Sequence, residues 1–101
     1  MTTLDLLRPY ALYPGIYAVV CAPAGMTYVG QTSRAMVTRW DEHLLLLRLG
    51  RHKNDAMQAA WKAYGAKRFD VVILEIVTDP RKLAERERYW IRLIGSANER
   101  R

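Results

Sequence analysis

Residues 14–30 read PGIYAVVCAPAGMTYVG, and the rest of the chain can be arranged around them. Two arms, Ile16 to Cys21 and Met26 to Val29, are rich in β-branched and aromatic residues, and they flank Ala22-Pro23-Ala24-Gly25, where proline and glycine supply a turn. The pattern predicts a β-hairpin. With a four-residue loop and no bulge, Tyr17 falls opposite Gly30 and Tyr28 opposite Val19. Both tyrosines then stand on one face as diagonal neighbours, roughly 7 Å apart, near enough for two phenols to serve one site.

A chain of 101 residues is one domain with room for a modest two-layer core. Its formal charge of +6 favours polyanionic partners, because phosphate contacts by Lys and Arg release condensed counterions. Nucleic acid is the first candidate, and a solvated basic surface without a partner is the ordinary alternative. Cys21 is the one cysteine, which excludes an internal disulfide and a Cys-based zinc site and suits a reducing cytoplasm. No apolar run is long enough to cross a bilayer, so neither export nor membrane insertion is expected.

Residues 1–13 carry Leu4, Leu6, Leu7 and Tyr10 and form a short helix or an extended arm packed on the domain of residues 14–101. After the hairpin, Gln31-Thr32-Ser33 offers hydroxyl caps for a helix reaching Leu49 and stopping at Gly50, with Val37, Trp40, Leu44 and Leu47 as its apolar stripe. Arg39 and His43, an i,i+4 pair, flank that stripe at the edge of the buried face. Leu44 to Leu47 hold more leucine than one stripe buries, so Leu45 or Leu46 is left to meet the N-terminal arm or another chain. Asn54 or Asp55 caps a second helix carrying Met57, Ala60, Trp61 and Tyr64, ended by Gly65. Phe69 to Val77, apolar on both faces, reads as a strand in the middle of the sheet. Asp79-Pro80 opens a third helix, Lys82 to Ile94. The expected class is α+β, a small three-stranded antiparallel sheet with helices packed on it, in the order β-β-α-α-β-α.

On that third helix Leu83, Glu87, Trp90 and Ile94 share a stripe, which puts a carboxylate on the buried side. Removing an ionised carboxylate from water costs several kcal/mol unless it is paired or binds a metal. Periodicity leaves both open, with a salt bridge the commoner outcome.

The triplets Gly15-Ile16-Tyr17 and Tyr28-Val29-Gly30 resemble the two half-motifs of the GIY-YIG endonucleases, and Arg39, His43, His52, Asn54, Glu87 and Asn98 follow in that family's order. The resemblance runs from about Pro14 to Asn98 and implies the same fold, together with hydrolysis of phosphodiester bonds in DNA. It implies that Glu87 binds one divalent cation, Mg²⁺ or Mn²⁺, that Arg39 stabilises charge on the phosphate, and that Tyr17 or Tyr28 is the general base. A phenol of ordinary pKa, about 10, needs a nearby cation for that work, and His43 or His52 could lower it, take the proton or orient the water. Some relatives place a lysine just after the second triplet, where this chain has Gln31. Arg34, Arg51, Lys53, Asn54 and Asn98 are the candidate DNA contacts, though capping explains Asn54 equally well. Taken singly, His43 reads as a helix-edge residue, His52 as a solvated loop residue and Arg39 as a surface charge.

The expectation is a stand-alone nuclease cutting one strand per active site. Specificity would come from DNA structure, a few groove contacts, homo-oligomerisation or a partner protein. Two rivals share the fold: a non-catalytic nucleic-acid-binding module, which has no need of a carboxylate on the buried stripe, and a nuclease toxin with an immunity partner.

Overall fold

The computed structural model describes residues 2–98, so the end of the expected domain, residues 99–101, lies outside the described part. Strand β1 (Gly15–Cys21) turns through Ala22–Ala24, with Pro23 inside the turn and Gly25 at φ 63° closing it, into β2 (Met26–Thr32). The left-handed backbone at Gly25 is one that a side chain would strain. The register is the expected one, Tyr17 opposite Gly30 and Val19 opposite Tyr28.

Strand β3 (Phe69–Ile76) pairs antiparallel with β1, giving the order β2-β1-β3. The central strand is therefore β1, and the expectation that residues 69–77 lie mid-sheet is corrected. An edge strand can be apolar on both faces when both are covered, and here they are. On one face Tyr17, Val19, Cys21 and Val71 pack with Leu4, Met36, Trp40, Leu47 and Met57. On the other, Ile16, Val29 and Val77 pack with Leu83, Trp90 and Ile91. A bulge interrupts the β1–β3 ladder, where Ile16 faces Glu75 and Tyr17 faces Ile73. Gly15 sits beside it, and a Cβ there would collide with the Glu75 carbonyl.

The helices are α1 (Thr3–Leu6), α2 (Arg8–Ala11), α3 (Met36–Leu49), α4 (Asp55–Tyr64) and α5 (Leu83–Ile94). Thr2 and Asp5 cap α1 reciprocally, and the Asp70 carboxylate accepts hydrogen bonds from the Thr3 N–H and hydroxyl, both at 2.6 Å. Leu4 is thereby buried against the sheet. Two expectations for α3 need correction. Strand β2 runs on to Thr32, whose hydroxyl caps a turn at Arg34, so the helix begins only at Met36, after Ala35. Its buried stripe is Met36, Trp40, His43 and Leu47: Trp40 and Leu47 are buried as expected, while Met36 and His43 take the innermost places and Val37 and Leu44 pack half-buried beside them, so His43 lies inside the core and not at its edge. Leu45 is exposed. The stop at Gly50, the Asn54 cap of α4 and the Asp79-Pro80 entry to α5 fall where the sequence places them, with a 3-10 turn over Pro80–Lys82.

Past α5 the chain turns back along β2. The N–H groups of Ser96 and Ala97 donate to the Thr27 carbonyl, and the Asn98 side chain bonds both the N–H and the C=O of Val29. An asparagine amide thus stands in for a paired strand residue on the outer edge of the sheet.

Candidate active site

Tyr17 is 1% exposed, its ring lying across Gly30, where a Cβ would run into the phenol carbons and hydroxyl. The second glycine of the motif is therefore required by the ring of the first tyrosine. The Tyr17 hydroxyl lies 2.7 Å from His43 Nε2, and His43 Nδ1 lies 2.7 Å from His52 Nε2. His52 Nδ1 accepts from the Asn54 backbone N–H at 3.0 Å. Tyr28 meets the His43 ring edge-on, with centroids 5.7 Å apart, so both phenols share one face and one imidazole.

Above this row opens a cleft of about 350 Å³ lined by Tyr28, Arg39, His43, Leu46, His52, Lys53, Asn54 and Asn98. Seven of its eight lining residues are polar or aromatic, and Leu46 is the apolar exception. Arg39 supplies the positive charge: it favours the ionised form of both tyrosines and the neutral form of both histidines. Burial works the other way on the phenols and dominates. Tyr17 and Tyr28 are both pushed above the usual phenol range, with Glu87 adding to the rise in each. Burial, then Arg39 and His52, brings His43 down to about 3, and burial with Arg39 also lowers His52. Both imidazoles are neutral at pH 7.

Glu87 is half-buried, and its carboxyl is shifted up by loss of solvent, partly opposed by Arg88. Among the described residues it enters none of the ion pairs; the carboxylate that does so on this side of the sheet is Glu75, held by Arg86 at 2.9 Å and by the Trp90 indole at 3.0 Å. The salt-bridge alternative for Glu87 thus finds no partner among the described residues. No cluster of three or more His, Cys, Asp or Glu side chains suited to a metal occurs among the described residues. A cation at Glu87 would have one protein carboxylate, with phosphate and water oxygens completing its shell, which is a common mode for Mg²⁺.

The remaining candidates fare differently. Lys53 is exposed on the cleft wall, and Arg51 is exposed but does not line it. Arg34 forms a two-pronged pair with Glu42 at 2.8 Å, and Glu42 also holds Arg39 at 3.1 Å. Glu42, kept at about 2 chiefly by its bonds from Arg34, was not among the expected site residues, although its i,i+3 spacing from Arg39 was a readable signal. Leu46 was likewise expected elsewhere. The asparagines already have internal partners: Asn54 caps α4 at Met57 and donates to the Ala97 carbonyl, and Asn98 is bonded to Val29. They brace the cleft wall.

The family model described as the GIY-YIG catalytic domain matches residues 13–100, and the chain belongs to that family. The chain is similar to the catalytic domain of the homing endonuclease I-TevI, with 27% identity over 80% of this chain and 87% of that one and a TM-score of 0.72. A mutant of the catalytic domain of that intron endonuclease matches with 26% identity over 81% and 84% of the two chains and a TM-score of 0.73. No curated protein matches. Among the described residues, no helix is long and apolar enough to cross a membrane.

Proposed function

We propose that this protein is a metal-dependent endonuclease that hydrolyses phosphodiester bonds in DNA, one strand per active site, to leave a 5′ phosphate. The observation that carries the reading is the convergence of Tyr28, Arg39, His43 and His52 on one cleft, together with a half-buried carboxylate, Glu87, that does not line the cleft but lies near enough to act on both motif tyrosines and enters no ion pair among the described residues. The similarity to a homing endonuclease domain supports DNA as the substrate.

Arg39 is placed to hydrogen-bond the scissile phosphate as charge gathers on its oxygens. Lys53 on the wall and Arg51 beyond it extend the attraction along the backbone. One of the two motif tyrosines, ionised to the phenolate, takes up the proton of the attacking water, and Arg39 favours that ionisation while Glu87 opposes it. Neutralising Glu87 is therefore as important to the base as to the phosphate. A divalent cation held there would supply positive charge to the phosphoryl oxygens and to the departing 3′ oxygen. We place this activity in the cytoplasm, in keeping with a lone cysteine that is buried and unpaired.

The test is incubation of purified protein with supercoiled, linear and branched DNA, with and without Mg²⁺ or Mn²⁺. Metal-dependent nicking is expected, and Glu87→Gln should abolish it while binding of DNA persists or tightens. Because the carboxylate has no ion-pair partner to strand among the described residues, Glu87→Gln should leave the melting temperature at pH 7 unchanged or slightly higher. Folded wild-type protein that binds all three DNAs and cleaves none would make this a binding module.

A further inference from the structure

The three contacts that join Tyr17, His43, His52 and Asn54 have a direction, and one end of it is set by the backbone. A peptide N–H can only donate, so the 3.0 Å contact from Asn54 requires a lone pair on His52 Nδ1. A neutral His52 then carries its proton on Nε2, which faces His43 Nδ1 at 2.7 Å. That atom must accept, so the His43 proton is on Nε2, 2.7 Å from the Tyr17 oxygen.

We propose that the Asn54 backbone N–H orders this chain, holding His52 and His43 both as Nε2–H tautomers, so that His43 donates its hydrogen bond to Tyr17 and does not accept one from it. The reverse order brings two N–H donors face to face at Asn54. Adding a proton to either imidazole likewise opposes two N–H groups at one of the contacts, and His43 is buried where no water relieves the conflict.

The Asn54 amide is itself held by the start of α4, where the Asn54 side chain caps Met57 and bonds the Ala97 carbonyl. The Gln58 side chain accepts from the His52 N–H at 2.9 Å and fixes the other end of that short loop. A helix cap thus dictates which atom of a buried histidine carries a proton about two side chains away. The Tyr17 hydroxyl hydrogen is directed away from His43, and the Tyr17 oxygen receives an N–H from the chain, a contact that favours the phenolate over the phenol. His52 acts through His43 and is a positioning residue. This catalytic consequence rests on the nuclease reading, but the tautomers do not.

Long-range ¹H–¹⁵N NMR of the histidine side chains of the wild-type protein at pH 7 reads the tautomers without reference to cleavage. Pyridine-type Nδ1 and pyrrole-type Nε2 are expected for both rings, and a His43 protonated on Nδ1 would overturn the proposal even in an active nuclease. His52→Phe removes the donor to His43 Nδ1, so the His43 ring should lose its single tautomer and cleavage should fall at least about tenfold. His52→Gln supplies an amide N–H in its place and should restore the Nε2–H signature and most of the cleavage. Equal damage by both variants, or by neither, would remove His52 from the positioning role. Ordered tautomers in a protein that cleaves no DNA would instead sink the nuclease reading and leave the chain as described.

Discussion

Tyr17 and Tyr28 carry the same hydroxyl in different surroundings, so the same substitution should separate them. Tyr17→Phe takes the partner from His43 Nε2 inside the core, and leaving a buried N–H unsatisfied costs about 1–3 kcal/mol. At roughly 4–8 °C per kcal/mol for a domain of this size, melting should drop by several degrees or more. No hydrogen bond engages the Tyr28 hydroxyl among the described residues, and that side chain faces the cleft, so Tyr28→Phe should melt within about 0.5 kcal/mol of wild type. Both should slow cleavage at least about tenfold. Thermal melts and single-turnover cleavage on the two variants check this, and two equally stable proteins would contradict the asymmetric burial.

At the level of elements, the hairpin was legible because proline and glycine mark its turn and the two-residue period of a strand leaves only one parity for Tyr17 and Tyr28. The phase of α3 was not. Leu44 invites a stripe through the leucine run, whereas the buried position belongs to His43, whose nitrogens are satisfied by Tyr17 and His52 from outside the helix. A polar residue whose partners are distant in sequence reads as an edge residue until those partners are placed. For the same reason Glu87 was recognisable as a misfit, but its lack of a partner among the described residues, and the engagement of Glu75 by Arg86 and Trp90, were visible only in three dimensions. Asn98 illustrates the limit from the other side, since its motif position suggests substrate while its amide closes the edge of β2. Asn98→Ala uncovers the Val29 N–H and C=O and should speed hydrogen exchange at Val29 and cost about 1–2 kcal/mol in urea denaturation. Unchanged exchange at Val29 would mean that the edge is held by Ser96 and Ala97 alone.

For the molecule as a whole, the neutral imidazole core predicts an unusual acid response. A histidine buried at a pKa of about 3 takes up its proton from pH 6.5 downward in the unfolded chain but not in the fold. The unfolded state then binds more protons, so stability falls as pH falls, by up to roughly 1.4 kcal/mol per pH unit below 6.5 for His43. His52 adds in the same direction, being lowered too. Glu87, raised, acts oppositely, since protonation favours its folded form. The lowered carboxylates Asp5, Glu42, Glu75 and Asp79 contribute only below their ordinary range near 4. Urea unfolding at pH 7, 6 and 5 should therefore show a decline well above the carboxylate range, its slope steepening below 6.5 toward about 1.4 kcal/mol per unit from His43, and a flat profile would mean that His43 is accessible to protons.

The pairing of Glu42 with Arg34 and Arg39 also bears on what the cleft admits. Two guanidinium groups, one of them on the cleft wall, converge on the Glu42 carboxylate, an internal counterpart of the phosphate that the proposed function would bring there. Any incoming phosphate competes with that carboxylate for Arg39. A lone small anion offers Arg39 little that Glu42 does not already provide, whereas a polymer brings adjacent phosphates that can engage Lys53 and Arg51 in the same encounter. On the proposed function, Glu42 would act as a threshold that favours long polyanions over free phosphate.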